Sequence, residues 1–253
     1  MLKIENLTVK YGEKVAVNNL SLHISQGEIY GFIGHNGAGK TTTIKAATGI
    51  LAFNEGNIYV NGVSIKDDPL TCKKSLAYIP DNPDLYEFMT GIQYLDFIAD
   101  IFRISSETRV ERINEYADIF ELKNDLGSSI SSYSHGMKQK LAIISALIHN
   151  PKLIIMDEPF VGLDPKASHF LKQIMRKHCD DGGAIFFSTH VLDTAEKLCD
   201  KVAIIKGGQL IKTGTMEDVR GDESLESVFL ELEGEKTGEG VEKIQTTDGT
   251  ENK

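Results

Sequence analysis

The segment Gly34-His35-Asn36-Gly37-Ala38-Gly39-Lys40-Thr41 constrains this chain more than any other. It fits the pattern G-x-x-x-x-G-K-[ST] in full. Glycines at these spacings let the backbone wrap an anion, with successive N–H groups turned inward. A helix that begins at the loop adds its positive N-terminus. Lys40 then reaches the β- and γ-phosphates of a nucleotide, and the Thr41 hydroxyl is placed to ligate Mg²⁺. The flanks agree: Glu28 to Ile33 reads as a strand closed by Gly34, and Lys40 to Thr48 as a helix with Gly49 at its C-cap. The bare pattern arises by chance in on the order of one chain in a hundred of this length. A strand before it and a helix after it make it a nucleotide site.

Strand and helix signals alternate on both sides of a helical stretch. Leu2 to Lys10 and Ala16 to Ile24 alternate as half-buried strands do, although Asn18-Asn19 interrupts the second. Ile58-Tyr59-Val60 and Val63-Ser64-Ile65 flank Asn61-Gly62, a hairpin signal. From Thr90 to Asn150 the periodicity is helical. Thr90 and Gln93 form a capping box, Ser106 to Phe120 is a second helix, and Ser134 to Ile148 is a third, stopped by Asn150-Pro151. Leu153 to Met156 and Ala184 to Phe187 are unbroken apolar runs, the pattern of strands buried on both faces. Asp164-Pro165 starts a helix running to about Cys179, and another is expected from about Val191 to Leu198. Val202 to Ile205 and Leu210 to Lys212 flank Gly207-Gly208-Gln209, a second hairpin signal. The pattern predicts an α/β chain with a parallel sheet. After Leu232 almost nothing is apolar, the composition of a disordered tail.

Further residues carry chemistry. Asp157 and Glu158 close the apolar run at a strand's C-terminal end, where α/β sheets bind ligands. Asp157 is suited to hold Mg²⁺ through water, and Glu158 to polarise a water aimed at the γ-phosphate. Alone, such a pair is more often a solvated strand end; beside a phosphate loop that reading loses. His190, after Ser188-Thr189, is expected at the same sheet edge, donating to the γ-phosphate or orienting the attacking water. Ser134-His135-Gly136-Met137 opens a helix and makes a second anion site. Two phosphate-binding devices in one chain fit a nucleotide held between two chains. Tyr11, in the turn after the first strand, offers a ring to stack on a base. Taken singly, the plainer readings of these residues (a capping histidine, an ordinary N-cap, a packing aromatic) are the better ones.

Composition excludes other classes. There are 27 basic and 37 acidic residues, a net charge of −10, with seven acids and three bases between Glu231 and Lys253. Nucleic-acid binders carry a basic excess, so no nucleic-acid partner is expected. The longest apolar run, Leu141 to Ile148, is eight residues, against about 20 for a membrane span. The opening MLKIENLTVKYGEK has no apolar core of a secretion signal. Three scattered cysteines, Cys72, Cys179 and Cys199, suit a reducing compartment.

Taken in order, these motifs resemble the nucleotide-binding subunit of an ABC transporter, over about Leu2 to Leu232. Tyr11 matches that family's aromatic loop, Gly34 to Thr41 its Walker A loop, with Thr42 next to it, and Ser134 to Met137 its signature. Leu153 to Asp157 matches the Walker B strand, Glu158 the catalytic glutamate, Asp164 the loop after it, and His190 the switch histidine. The resemblance implies a P-loop NTPase (RecA-like) parallel sheet core with an N-terminal antiparallel β subdomain and an inserted α-helical subdomain. The implied divisions are 1–89 and 151–214 for the core halves, 90–150 for the signature subdomain, 215–232 for C-terminal helices and 233–253 for the acidic tail. It implies ATP and Mg²⁺, with Thr41, Asp81 and Asp157 on the metal. It implies a second ATP-binding subunit, identical or not, closing head to tail around two ATP. Separate transmembrane permease subunits would hold the chain at the inner, cytoplasmic face of the cell membrane. The Tyr-Ser-x-Gly-Met-x-Gln form is most similar to exporters of the ABC-2 kind.

Two positions depart from the family pattern. Asp81, after Pro80, stands where the family has glutamine, and its charge beside Asp157 and Glu158 wants a cation to offset it. His135 replaces the first signature glycine and adds bulk near the partner's γ-phosphate. Other classes fit less well. A GTPase should show Asn-Lys-x-Asp, and a small-molecule kinase leaves the signature unexplained. ABC proteins of DNA maintenance or translation carry long coiled coils or paired cassettes. A weakly hydrolysing regulatory cassette is at odds with Glu158 and His190; only Asp81 and His135 favour it.

Overall fold

The computed structural model describes residues 1–234. Strands β1 (Leu2–Tyr11) and β2 (Lys14–Ile24) precede β3 (Ile29–Ile33), with β4 (Glu55–Val60) and β5 (Val63–Ser64) after it. Four of these five make an antiparallel sheet in the order β2-β1-β4-β5. The strand left out, β3, joins β6 (Leu76–Ile79), β7 (Leu153–Asp157), β8 (Ala184–Thr189), β9 (Lys201–Lys206) and β10 (Gln209–Thr215) in a second sheet, ordered β10-β9-β3-β8-β7-β6. Its pairs are parallel except β10, which returns antiparallel to β9. The expected parallel sheet therefore carries one antiparallel edge.

Helices α1 (Lys40–Ala47) and α2 (Pro69–Ser75) lie in the first part of the chain. The insertion holds α3 (Gly91–Ile101), α4 (Ser106–Ile119) and α5 (His135–Leu147). Then come α6 (Pro165–Asp180), α7 (Leu192–Leu198), α8 (Met216–Arg220) and α9 (Leu225–Gly234).

Successive strand residues point to opposite faces, and here both faces are covered. Tyr30, Phe32, Leu153, Ile155 and Phe186 pack with the antiparallel sheet and Ile44 of α1. Ile29, Ile33, Ile154, Met156 and Phe187 pack with the helical insertion, α6 and α9. That is why β3, β7 and β8 are apolar without alternation.

Local chemistry sets the element ends. Gln93 N–H donates to Thr90 Oγ1 (3.3 Å) and Thr90 N–H to Gln93 Oε1 (2.9 Å), the expected capping box of α3. Asn61 and Gly62 both take positive φ, as a two-residue hairpin turn requires. The Asn18-Asn19 interruption does not end β2. Asn19 adopts φ +51 and donates its N–H to Thr8 Oγ1 (3.2 Å), so the asparagine absorbs an irregularity in the ladder. Helix α2 begins at Asp68-Pro69 with the same Asp-Pro signal that starts α6, and sequence reading passed it over. Helix α9 runs to Gly234, two residues into the expected tail; the rest of that tail lies outside the described residues. No helix among the described residues is long and apolar enough to cross a membrane.

Candidate nucleotide-binding site

Four parallel strands end level with one another. In the ladders Ile33 pairs with Thr189, Ser188 with Asp157, and Met156 with Ile79. The residues that follow each strand therefore gather on one edge: the loop from Gly34, Glu158, His190 and Asp81. This register, more than any single motif, makes the site.

The phosphate loop turns on two glycines packed against backbone. A Cβ on Gly34 would lie 2.5 Å from the Ile205 carbonyl oxygen, and one on Gly39 (φ +111) 2.8 Å from that of Ala16. Gly208 supports the loop from behind, donating its N–H to the Ala38 carbonyl (2.9 Å) while Asn18 N–H donates to Gly208 O (2.8 Å). Gly37 (φ +81) has no atom within 4 Å of an added Cβ, so the loop is open where an anion approaches. His35, Asn36, Thr41 and Thr42 line a cavity of about 380 Å³ there. Tyr11, about half exposed, borders it.

Lys40 is buried, and its ammonium donates to the carbonyls of Gly34 (2.6 Å) and His35 (3.4 Å). It also lies 3.4 Å from Glu158 Oε1. That ion pair falls outside hydrogen-bond geometry, so Oε1 is buried with an open acceptor position. Glu158 Oε2 stands 3.0 Å from His190 Nδ1 and accepts the His190 backbone N–H at 3.4 Å. The Glu158 backbone is left-handed, φ +48, and its N–H donates to Ser188 Oγ at 3.0 Å. Such a conformation costs of order 1 kcal/mol in a non-glycine residue, and these contacts hold it. The result is a carboxylate on the cavity wall with Lys40 beside one oxygen and His190 beside the other, its backbone held by Ser188.

Asp157 is buried and accepts a hydrogen bond from the Ser188 hydroxyl. Asp81 sits at the end of β6 and faces the same cavity. Its carboxyl is raised above the usual range by burial first and by the negative charges of Asp157 and Glu158 next, with His135 and His190 opposing. Among the described residues no three metal-binding side chains converge as a closed cage. Mg²⁺ takes one or two carboxylates and completes its shell with phosphate and water. Two carboxylates and the Thr41 hydroxyl on the cavity wall fit such an ion.

Ser134 caps α5 through the Met137 N–H (3.3 Å). Ser134 and His135 are exposed, and none of Ser134, His135, Gly136 and Met137 lines the cavity. Asp164 caps α6, accepting the Ala167 N–H at 2.8 Å. Sequence reading missed three contributors. Ser188 links Asp157 to the Glu158 backbone, and only strand register reveals it. Gly207, read as part of a turn, also walls the cavity. Phe229 of α9 sets its ring edge-on to His35, centroids 5.0 Å apart; no local signal marks that contact. Phe229→Ala should cost about 3–5 kcal/mol of stability in urea unfolding. It should also weaken nucleotide binding, because His35 loses its backing; unchanged affinity would make the contact packing alone.

The family model described as ABC transporter matches residues 17–161. The ABC-type transporter ATP-binding protein EcsA of Bacillus subtilis (strain 168) is 35% identical over 243 residues, which is 94% of this chain and 98% of EcsA. Among solved structures, an ATP-binding subunit of an ABC transporter superposes with a TM-score of 0.89 at 36% identity, over 92% of this chain and 99% of that one. The dimeric post-hydrolysis state of the ATP-binding cassette MJ0796, bound to ADP and Pi, superposes with a TM-score of 0.78 at 25% identity, over 85% of this chain and 99% of that one. The likeness to EcsA and to the solved ATP-binding subunit spans nearly the whole of this chain. The chain belongs to the ABC transporter family as an ATP-binding subunit, and it is an ATPase.

Proposed function

We propose that two such cassettes close head to tail around two ATP and thereby drive export through separate permease subunits at the inner face of the membrane. Each ATP is gripped by Gly34 to Thr42 of one chain and covered by Ser134 to Met137 and Asp164 of the other. The observation that carries this reading is the position of Ser134 and His135: exposed at a helix N-terminus, yet outside their own chain's cavity. A second anion device so placed serves a nucleotide held by another chain.

Within one site the residues divide the work. The loop N–H groups and Lys40 bind the phosphates. Glu158, oriented by His190, accepts the proton of the attacking water, and His190 steadies that geometry. Mg²⁺, held by Thr41, Asp157 and Asp81, would neutralise charge on the β- and γ-phosphates. A permease needs an apolar landing surface, and the edge of the helical insertion offers one. Phe88 is 83% exposed and stacks on Tyr86 at 5.9 Å, with Phe97 edge-on to Tyr86. Export as the direction rests on the likeness of the signature to ABC-2 exporters.

Ser134→Arg tests the two-chain site. It should leave nucleotide affinity of the dilute monomer within about twofold, since that residue touches nothing in its own cavity. It should abolish the ATP-dependent dimer seen by sedimentation, because a long cation fills the space left for the partner's γ-phosphate. A dimer that survives the substitution shows that the signature does not cover a partner's nucleotide.

A further inference from the structure

Helix α5 carries the signature, and its first turn rests on the loop that joins β7 to α6. A Cβ on Gly136 would come within 2.8 Å of the Gly162 carbonyl oxygen; one on Gly162 (φ +80) would come within 2.6 Å of the His135 ring. One turn further on, Lys140 Nζ lies 2.6 Å from Asp164 Oδ2. The Lys140 side chain is only 15% exposed, while that of Asp164 is 46% exposed. Asp164 Oδ1 meanwhile caps α6 through Ala167 N–H. The Asp164 carboxyl is held below its usual range, by the Lys140 hydrogen bond first and the Ala167 N–H second.

One carboxylate thus ties α5, α6 and the intervening loop together. That loop begins at Glu158. It is tightly wound, with Val161 N–H donating to Glu158 O (3.1 Å) and Leu163 N–H to Phe160 O (3.3 Å). A loop fixed at its far end by Lys140 has little slack to pass back to Glu158.

We propose that Lys140 is a positioning residue for hydrolysis: its pairing with Asp164, beside the His135–Gly162 contact, locks the signature helix to the loop that carries Glu158. The face a chain offers its partner and the orientation of its own carboxylate base are then set together. The proposal rests on the two-chain reading above. Without the pin, the face competent for closure is populated for a smaller fraction of the time, and the apparent affinity between chains falls by that fraction.

The test uses Lys140→Met and Lys140→Arg, each made in the parent chain and in a Glu158→Gln background; Lys140→Gln replaces the methionine variant should that fail to fold. Three quantities are measured: nucleotide affinity of the dilute monomer, ATP-dependent dimerisation by sedimentation, and kcat of the Glu158-containing chain. Lys140→Met should bind nucleotide within about twofold of the parent, while dimerisation and kcat each fall about 10-fold or more. Lys140→Arg should recover both, since a guanidinium also reaches Asp164. The proposal is overturned by a methionine variant that dimerises and turns over like its parent, by an equal loss of monomer affinity, or by an arginine variant that recovers nothing. A Glu158→Gln background that itself forms no dimer sinks the two-chain reading and this one with it. A background dimer matched by an equally good Lys140→Met dimer sinks the latch alone.

Discussion

Glu158→Gln should lower ATP turnover by roughly 10²- to 10⁴-fold while ATP stays bound. Glutamine keeps the shape of the side chain, so the cavity wall is preserved. Its amide does not accept a proton from water at neutral pH, and the open acceptor position at Oε1 no longer serves as a base. The substitution also removes one negative charge from the set formed with Asp81 and Asp157. A polyanionic nucleotide then meets less repulsion, so ATP affinity is retained or improved and the closed dimer outlives the assay. Steady-state phosphate release and sedimentation with ATP and Mg²⁺ measure the two halves of this expectation. A variant that hydrolyses at the parent rate removes Glu158 from the role of base.

The second large effect is that of Lys40→Ala. In the fold this ammonium satisfies the carbonyls of Gly34 and His35 and faces the buried Glu158 carboxylate. Hydrogen bonds to a charged group contribute about 1.5–3 kcal/mol, so losing the phosphate contact should weaken ATP binding by about 10- to 150-fold. Stability should fall by about 3–5 kcal/mol, because the buried Glu158 carboxylate loses its Lys40 partner. Equilibrium nucleotide titration and urea unfolding separate the two losses. Unchanged nucleotide affinity would falsify the assignment of Lys40 to the phosphates.

Much of this chain was legible from residue order because the determining interactions are local. A capping box spans three residues, so Thr90 and Gln93 announce α3. Asn61-Gly62 supplies both positive-φ positions of its turn. The phosphate loop is eight consecutive residues, and two of its glycines, Gly34 and Gly39, sit where contacts tolerate no Cβ. Asp68-Pro69 was equally legible and went unread, because α2 is too short to show apolar periodicity.

Other features depend on neighbours far along the chain. The opposition of Ser188 to Asp157 comes from strand pairing across 31 positions. The left-handed turn at Glu158 is unusual for that residue type, and Ser188, Lys40 and His190 hold it there. Phe229 reaches His35 only because α9 folds back over the sheet edge. His135, met in sequence as a departure from a family pattern, proves to lie against Gly162.

By itself the order of residues determined which segments become strands and helices, where several of them start and stop, and that one loop cradles phosphate, since hydrogen bonding and backbone freedom over a few residues decide these. Tertiary structure alone decided the contacts by which Lys40, His190 and Ser188 hold Glu158, and that α5 is tied to the loop after β7. Those arrangements follow from strand register and from packing on both faces of a sheet, which no short stretch of sequence specifies.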